Sequence, residues 1–262
     1  MTVLTRSFRV VEAELVTYRR TWRGTMISSF VNPVLFLSAM GLGLGSLIDS
    51  SGADLGVSYL TFVASGLMAA TAMQVGAGEG SFPVMAGIKW RKEFHATITT
   101  PLSPADIVYG RFLWSIIRLS FILVVFALIS VLFGALEVGP ALLAVPPGVL
   151  TGVAFTTVVT AFTVTQEDET SLSTVFRFGI TPLFLFSGTF FPISQLPDYI
   201  KPIAYATPLF HGVELVRKIA LPGVDESVVT TLPIWLHVAY LSAMTVLGLV
   251  LAARLLDRRL RP

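Results

Sequence analysis

Six stretches of this chain run 18 residues or more without one charged side chain: 24–48, 55–78, 119–136, 138–166, 178–197 and 227–253. An apolar helix needs about 20 residues to cross the roughly 30 Å hydrocarbon core of a bilayer. That core offers the backbone no water, so the peptide groups must bond within the segment, as they do in a helix. A membrane barrel would show alternating strands of about 10 residues instead. The pattern predicts an all-α integral membrane protein with six spans, near 26–47, 58–77, 113–134, 143–165, 173–193 and 233–253. Composition excludes the main alternatives. Only 13% of the 262 residues are charged and mean hydropathy is +0.78, whereas a soluble domain carries about 25% charge. A soluble enzyme, a nucleic-acid-binding domain and a disordered chain do not fit. Cysteine is absent, which removes disulfides, thiolate nucleophiles and Cys metal sites.

Lys and Arg set the orientation. Arg6, Arg9, Arg19, Arg20 and Arg23 precede span one. Lys89, Arg91, Lys92 and Arg111 lie between spans two and three, and Arg254, Arg258, Arg259 and Arg261 form the tail. The first and third connections carry none, and the fifth carries Lys201, Arg217 and Lys218. This asymmetry predicts both termini on the cytoplasmic side. Arg118 and Arg177 start spans, where they either anchor the interface or pair with the acidic connection Glu167-Asp168-Glu169. No secretory signal is evident, since the first apolar run is too long for one, so it is expected to stay as an anchor.

Three connecting segments have their own character. In 1–25, Leu4, Phe8, Val11, Leu15, Tyr18 and Trp22 recur at helical spacing with Arg mostly elsewhere. That predicts an amphipathic helix lying in the cytoplasmic interface or packed on protein, ahead of a six-helix unit over 26–262. In 79–111, Trp90, Phe94 and Ile98 share a helical face beside Lys89, Lys92 and Glu93. Such a face suits a protein groove or the bilayer surface. Ser103-Pro104-Ala105-Asp106 then reads as the capped start of a helix that begins in the cytoplasm and runs into span three. In 194–232, Pro197, Pro202, Pro208 and Pro222 break up an external piece whose apolar part is too short to span. Short broken helices dipping into the outer leaflet are expected there.

The search for chemistry is mostly negative. No G-x-x-x-x-G-K-[ST] motif occurs, so no phosphate-binding loop is present. Gly41 with Gly45, and Gly148 with Gly152, have the G-x-x-x-G spacing that lets membrane helices approach closely. His211 and Glu214 lie one turn apart without the H-E-x-x-H of a zinc protease, and His237 falls in span six, where it satisfies a neighbouring helix, faces a cavity or ligates a metal. No expected span has a central carboxylate, which argues against a proton relay. Energy for uphill movement would have to come from a partner.

Two blocks resemble the membrane subunits of ABC-2-type exporters, the permease family that includes polysaccharide, nodulation-factor and drug exporters. One runs Ser81-Phe82-Pro83-Val84-Met85-Ala86-Gly87 through Lys89-Trp90 to Thr100-Pro101-Leu102-Ser103-Pro104-Ala105-Asp106-Ile107. The other is Pro182-Leu183-Phe184-Leu185-Phe186-Ser187-Gly188-Thr189-Phe190-Phe191-Pro192, with Leu196-Pro197, Pro208-Leu209 and Arg217. The resemblance implies one half of a membrane dimer, paired with an identical or paralogous second subunit, in the bacterial plasma membrane. Two separate nucleotide-binding subunits would bind ATP and Mg²⁺; this chain would hold no cofactor or metal and contact no nucleic acid. It also implies that Trp90, Arg91, Lys92, Phe94 and His95 form the coupling helix that meets the ATPase. Residues 194–220 would match the family's re-entrant external helices. Phe36, Met40, Met68, Met73, Phe184, Phe186 and Phe190 become candidates to line the path of an amphipathic substrate such as a lipid-linked glycan, a lipid or a drug. A channel, a secondary transporter or a non-transporting assembly subunit is the alternative.

Overall fold

A computed structural model describes residues 3–45, 47–48, 56–223 and 229–261. Among the described residues there are helices and turns and no strand. α1 (Val3–Phe36) continues as a π-helical stretch, Leu37–Gly45. α2 (Tyr59–Gly80) is followed by α3 (Phe82–Met85) and a π-helical turn, Ala86–Trp90. Next come α4 (Glu93–Thr97), α5 (Pro104–Leu132), α6 (Val138–Leu143) and α7 (Val145–Thr165). α8 (Thr170–Val175) and α9 (Thr181–Phe186) flank a third π-helical turn. The chain ends with α10 (Lys201–Ala206), α11 (Pro208–Ala220) and α12 (Ile234–Leu260).

Four helical stretches are long and apolar enough to cross a membrane: Tyr59–Trp90, Pro104–Leu132, Val138–Thr165 and Ile234–Leu260. They cover the second, third, fourth and sixth expected spans. The first and fifth windows hold shorter apolar helical stretches, Phe30–Gly45 and Thr170–Phe186. The fifth stops well before residue 193 because Ser187 leaves helical geometry and Gly188 takes φ +86°. A left-handed residue of this kind ends a helix, and glycine adopts it without steric cost. α1 passes residue 25 without a break, so the interfacial segment and the first apolar window form one continuous helix. Pro33 lies inside it, where the ring removes a backbone donor, and the wider π-helical geometry begins at Leu37.

α5 begins where its sequence dictates. The Ser103 hydroxyl accepts from the Asp106 N–H at 3.2 Å, and the Asp106 carboxylate accepts from the Ser103 N–H at 2.9 Å. This reciprocal capping satisfies two donors that a helix start otherwise leaves open. In the fifth connection the helices are short and broken, with Pro202 and Pro208 in the first turns of α10 and α11.

The centre of the molecule is the pair α2 and α7, each apolar around most of its circumference and buried on most sides. They touch backbone to backbone. A Cβ added to Gly76 would collide with the backbone of Gly152, and one on Gly80 would lie 2.6 Å from the Thr156 carbonyl oxygen. Small residues permit this approach, and dispersion across it holds membrane helices together. Gly148 and Gly152 also receive Leu123 and Leu119 of α5. Gly41 faces Leu60, and Gly45 lies near Tyr59. α12 packs along α7 at Gly248 and leaves Trp235, Leu247 and Leu251 exposed on its outer face.

The connections sort onto two ends. At one end Lys89 donates to the Glu167 carbonyl, Arg259 pairs with the Glu167 carboxylate at 3.5 Å, and Arg6 lies 3.7 Å from Asp106. This is the basic end. At the other end Gly56, Gly134 to Glu137, and Ala220 to Gly223 line one cleft. The Glu167 connection is therefore tied by Lys89 and Arg259. Arg118 pairs elsewhere, and Arg177 is exposed.

Candidate functional site

Two places on the stretch Tyr59–Trp90 gather the residues singled out by sequence, one at each extremity. At the basic end the expected single coupling helix is in two pieces. Trp90 closes the π-helical turn, Lys92 takes a left-handed φ of 53°, and α4 starts afresh at Glu93. Trp90 and Phe94 consequently do not share a face. Trp90 is 52% exposed, and Arg91, Lys92 and His95 are exposed beside it. Phe94 is 5% exposed and turns inward against Val84, Ile88, Ile107 and Val108. Its ring lies where a Cβ on Gly87 would come within 2.6 Å. Phe94 thus anchors the corner, and the exposed surface belongs to its four neighbours.

Beneath the corner lies a buried ionic cluster. Arg111 pairs with Glu14 of α1, donates to the Glu79 carbonyl at 3.3 Å, and sits 5.8 Å from the Phe94 ring centroid. Arg118 pairs with the buried Glu79 carboxylate. Paired and hydrogen-bonded charges are the form in which ions survive burial. In the sequence Glu79 borders the charge-free window 55–78, outside the second expected span. The signal was there: residues 80–88 after it carry no charge, so the acid lies inside a longer apolar stretch. On α1, the side facing α5 is Ser7, Val10, Val11, Glu14 and Tyr18, the last edge-on to Trp114 at 5.4 Å. Phe8, Leu15 and Trp22 form an exposed apolar strip beside it.

At the other extremity of the stretch is an apolar groove of about 730 Å³. Phe36, Met40, Tyr59, Phe184 and Phe190 line it. The rings of Phe36 and Phe184 meet edge-on at 6.0 Å, and those of Phe184 and Phe190 at 5.1 Å. Four of the seven proposed path residues therefore come together. Met68 and Met73 do not reach the groove; both are fully buried in the core around α2. Phe186 is half exposed outside it.

The fifth connection holds polar groups that sequence spacing did not connect. Arg217 is 1% exposed. It donates to the Ser65 hydroxyl at 3.2 Å and to the carbonyls of Phe62 at 3.3 Å and Gly188 at 3.0 Å. His211 and His237 meet through their Nδ1 atoms at 2.9 Å, with Tyr240 stacked on His211. Glu214 accepts from the Thr230 N–H and hydroxyl, both at 2.7 Å. His211 and Glu214 do not converge, and among the described residues no group of three or more metal-binding side chains forms.

Comparison with known proteins gives this geometry its context. A family model described as "ABC-2 type transporter" matches residues 6–221. The chain is 27% identical over 250 residues to Nodulation protein J of Rhizobium meliloti (strain 1021), covering 94% of this chain and 91% of that one. It is 28% identical over 248 residues to Nodulation protein J of Sinorhizobium fredii, covering 94% and 90%. It is 24% identical over 219 residues to the inner membrane transport permease YadH of Escherichia coli (strain K12), covering 83% and 84%.

Proposed function

We propose a function from one premise: the chain belongs to the ABC-2 type transporter family. The chain is the transmembrane permease subunit of an ATP-driven exporter. It carries an amphipathic substrate, a lipid-linked glycan, a lipid or a drug, out of the cytoplasm by alternating access. Two copies, or this chain and a paralogue, make the membrane part, and two separate subunits bind ATP and Mg²⁺. All six apolar windows cross the plasma membrane, and the basic end with both termini faces the cytoplasm. Residues up to about 25 form the cytoplasmic part of α1, packed on α5 on one side and with Phe8, Leu15 and Trp22 turned to the lipid headgroups on the other.

The observation that carries this reading is the stretch Tyr59–Trp90. One helical run has the aromatic groove at its start and the exposed Trp90, Arg91, Lys92 and His95 corner at its end. An ATPase seated on the corner can bias a two-state equilibrium in the membrane part only through contacts that differ between the states. The corner offers such contacts, because Phe94 and Arg111 tie it to α1, α2 and α5. The groove side is apolar, which suits the greasy portion of an amphipath. Names of relatives support the transport part, since one is itself called an inner membrane transport permease.

The test is purification from the native membrane followed by reconstitution. An ATPase subunit with a phosphate-binding loop is expected to co-purify, and transport is expected to require its ATP turnover. A stable complex that transports with no ATPase present overturns the reading.

A further inference from the structure

We infer that Arg217 is a positioning residue that pins the 187–190 turn onto α2 and so holds the end wall of the aromatic groove. The groove's importance rests on the function proposed above; the pin itself rests on geometry. Burial of this guanidinium is nearly complete, yet among the described residues no carboxylate lies within ion-pairing distance of it. The nearest acid on its own helix, Glu214, is occupied by Thr230. Leaving a buried cation without an ion partner is costly, and an apolar side chain of similar volume would pack there at less cost. What the arginine supplies is a terminal nitrogen that bridges two elements, held in place by a rigid plane whose Nε is itself bonded. Nε donates to Ser65 of α2, and one terminal nitrogen donates both to Phe62 of α2 and to Gly188 of the turn. Its Cζ lies 4.0 Å from the Phe62 ring centroid, which stabilises the cation further.

The seat on α2 is cut for the turn. A Cβ on Gly66 would stand 2.6 Å from the Thr189 carbonyl oxygen and 2.9 Å from an Arg217 nitrogen. Ser187 and Thr189 are fully buried as a result, and Ser187 shares a hydrogen bond with Thr207 at 3.0 Å. Tyr59 donates to the Phe190 carbonyl at 3.2 Å, continuing the same attachment into the groove. With the turn seated, Phe190 stands in the groove; with the turn lifted, that wall leaves with it.

The chain has no cysteine, so a single introduced thiol reports cleanly. Thr189→Cys in the full chain, held in lipid nanodiscs, is labelled with a charged maleimide. The thiol is expected to react slowly, and at least about tenfold faster when Arg217→Met is added, because local opening sets the rate. Arg217→Lys is expected to accelerate it less than Arg217→Met, since an ammonium can still donate to both elements but loses the bond that Nε makes to Ser65 and the rigid plane over Phe62. Should Arg217→Met fail to fold, Gly66→Ala decides the matter: it favours the helix and wedges the turn off its seat. A control thiol, Met73→Cys in the core, is expected not to change with either variant. Equal Thr189→Cys rates in all variants, or a parallel rise at Met73→Cys, overturn the pin. Fast labelling in a chain that transports nothing would keep the pin and remove the permease reading. Unchanged labelling in a chain that transports would do the reverse.

Discussion

Trp90 and Phe94 look alike in the sequence and do different jobs in the fold. Trp90→Ala removes an exposed ring, so thermal stability is expected to stay within about 0.5 kcal/mol, while recovery of a bound ATPase subunit falls. Phe94→Ala empties a buried site and is expected to cost about 3 kcal/mol, read as a lower unfolding temperature before any assembly is attempted. Equal effects of the two on stability would contradict the inward orientation of Phe94. Glu79→Gln leaves Arg118 without its ion partner. Breaking a fully buried pair costs about 3–5 kcal/mol, and Arg118 is partly exposed, so a loss of about 2 kcal/mol is expected in detergent unfolding. Spacing alone could not separate Trp90 from Phe94, because Lys92 enters the left-handed region without the glycine that usually announces it. Nor could it find Arg217, whose partners Ser65 and Phe62 lie some 150 positions earlier in the chain.

Local signals were legible where local physics decides. The start of α5 followed from Ser103, Pro104 and Asp106, and Ser103→Ala is expected to cost about 1 kcal/mol in thermal unfolding. The broken helices of the fifth connection followed from their prolines. Lengths of spans one and five did not follow, since an uncharged window fixes where a helix is permitted and not where it stops. Thr170–Phe186 ends at a turn that Gly188 permits and that contacts with α2 and α11 hold in place. Gly76 and Gly80 have the same spacing as the glycine pairs read from sequence, and Gly76 makes the closest backbone approach among the described glycines. Which of several such pairs meets a partner depends on how helices are arranged, which spacing does not encode.

The molecule as a whole separates its charges by end. Lys89, Arg259, Arg6 and the ions they meet share one end, and the first, third and fifth connections share the other. A reporter fused to the C-terminus is expected to be active only in the cytoplasm; activity only outside would invert the orientation. Motion between these ends is constrained by the crossing at Gly76 and Gly152. Helices that touch through side chains can slip as those side chains change rotamer. Here two backbones meet with no side chain between them, so a slip of α2 against α7 cannot be absorbed by a change of rotamer at the crossing. The helical run breaks at Ser81, one residue past the Gly80 contact, so the Trp90 corner joins that pair through a joint.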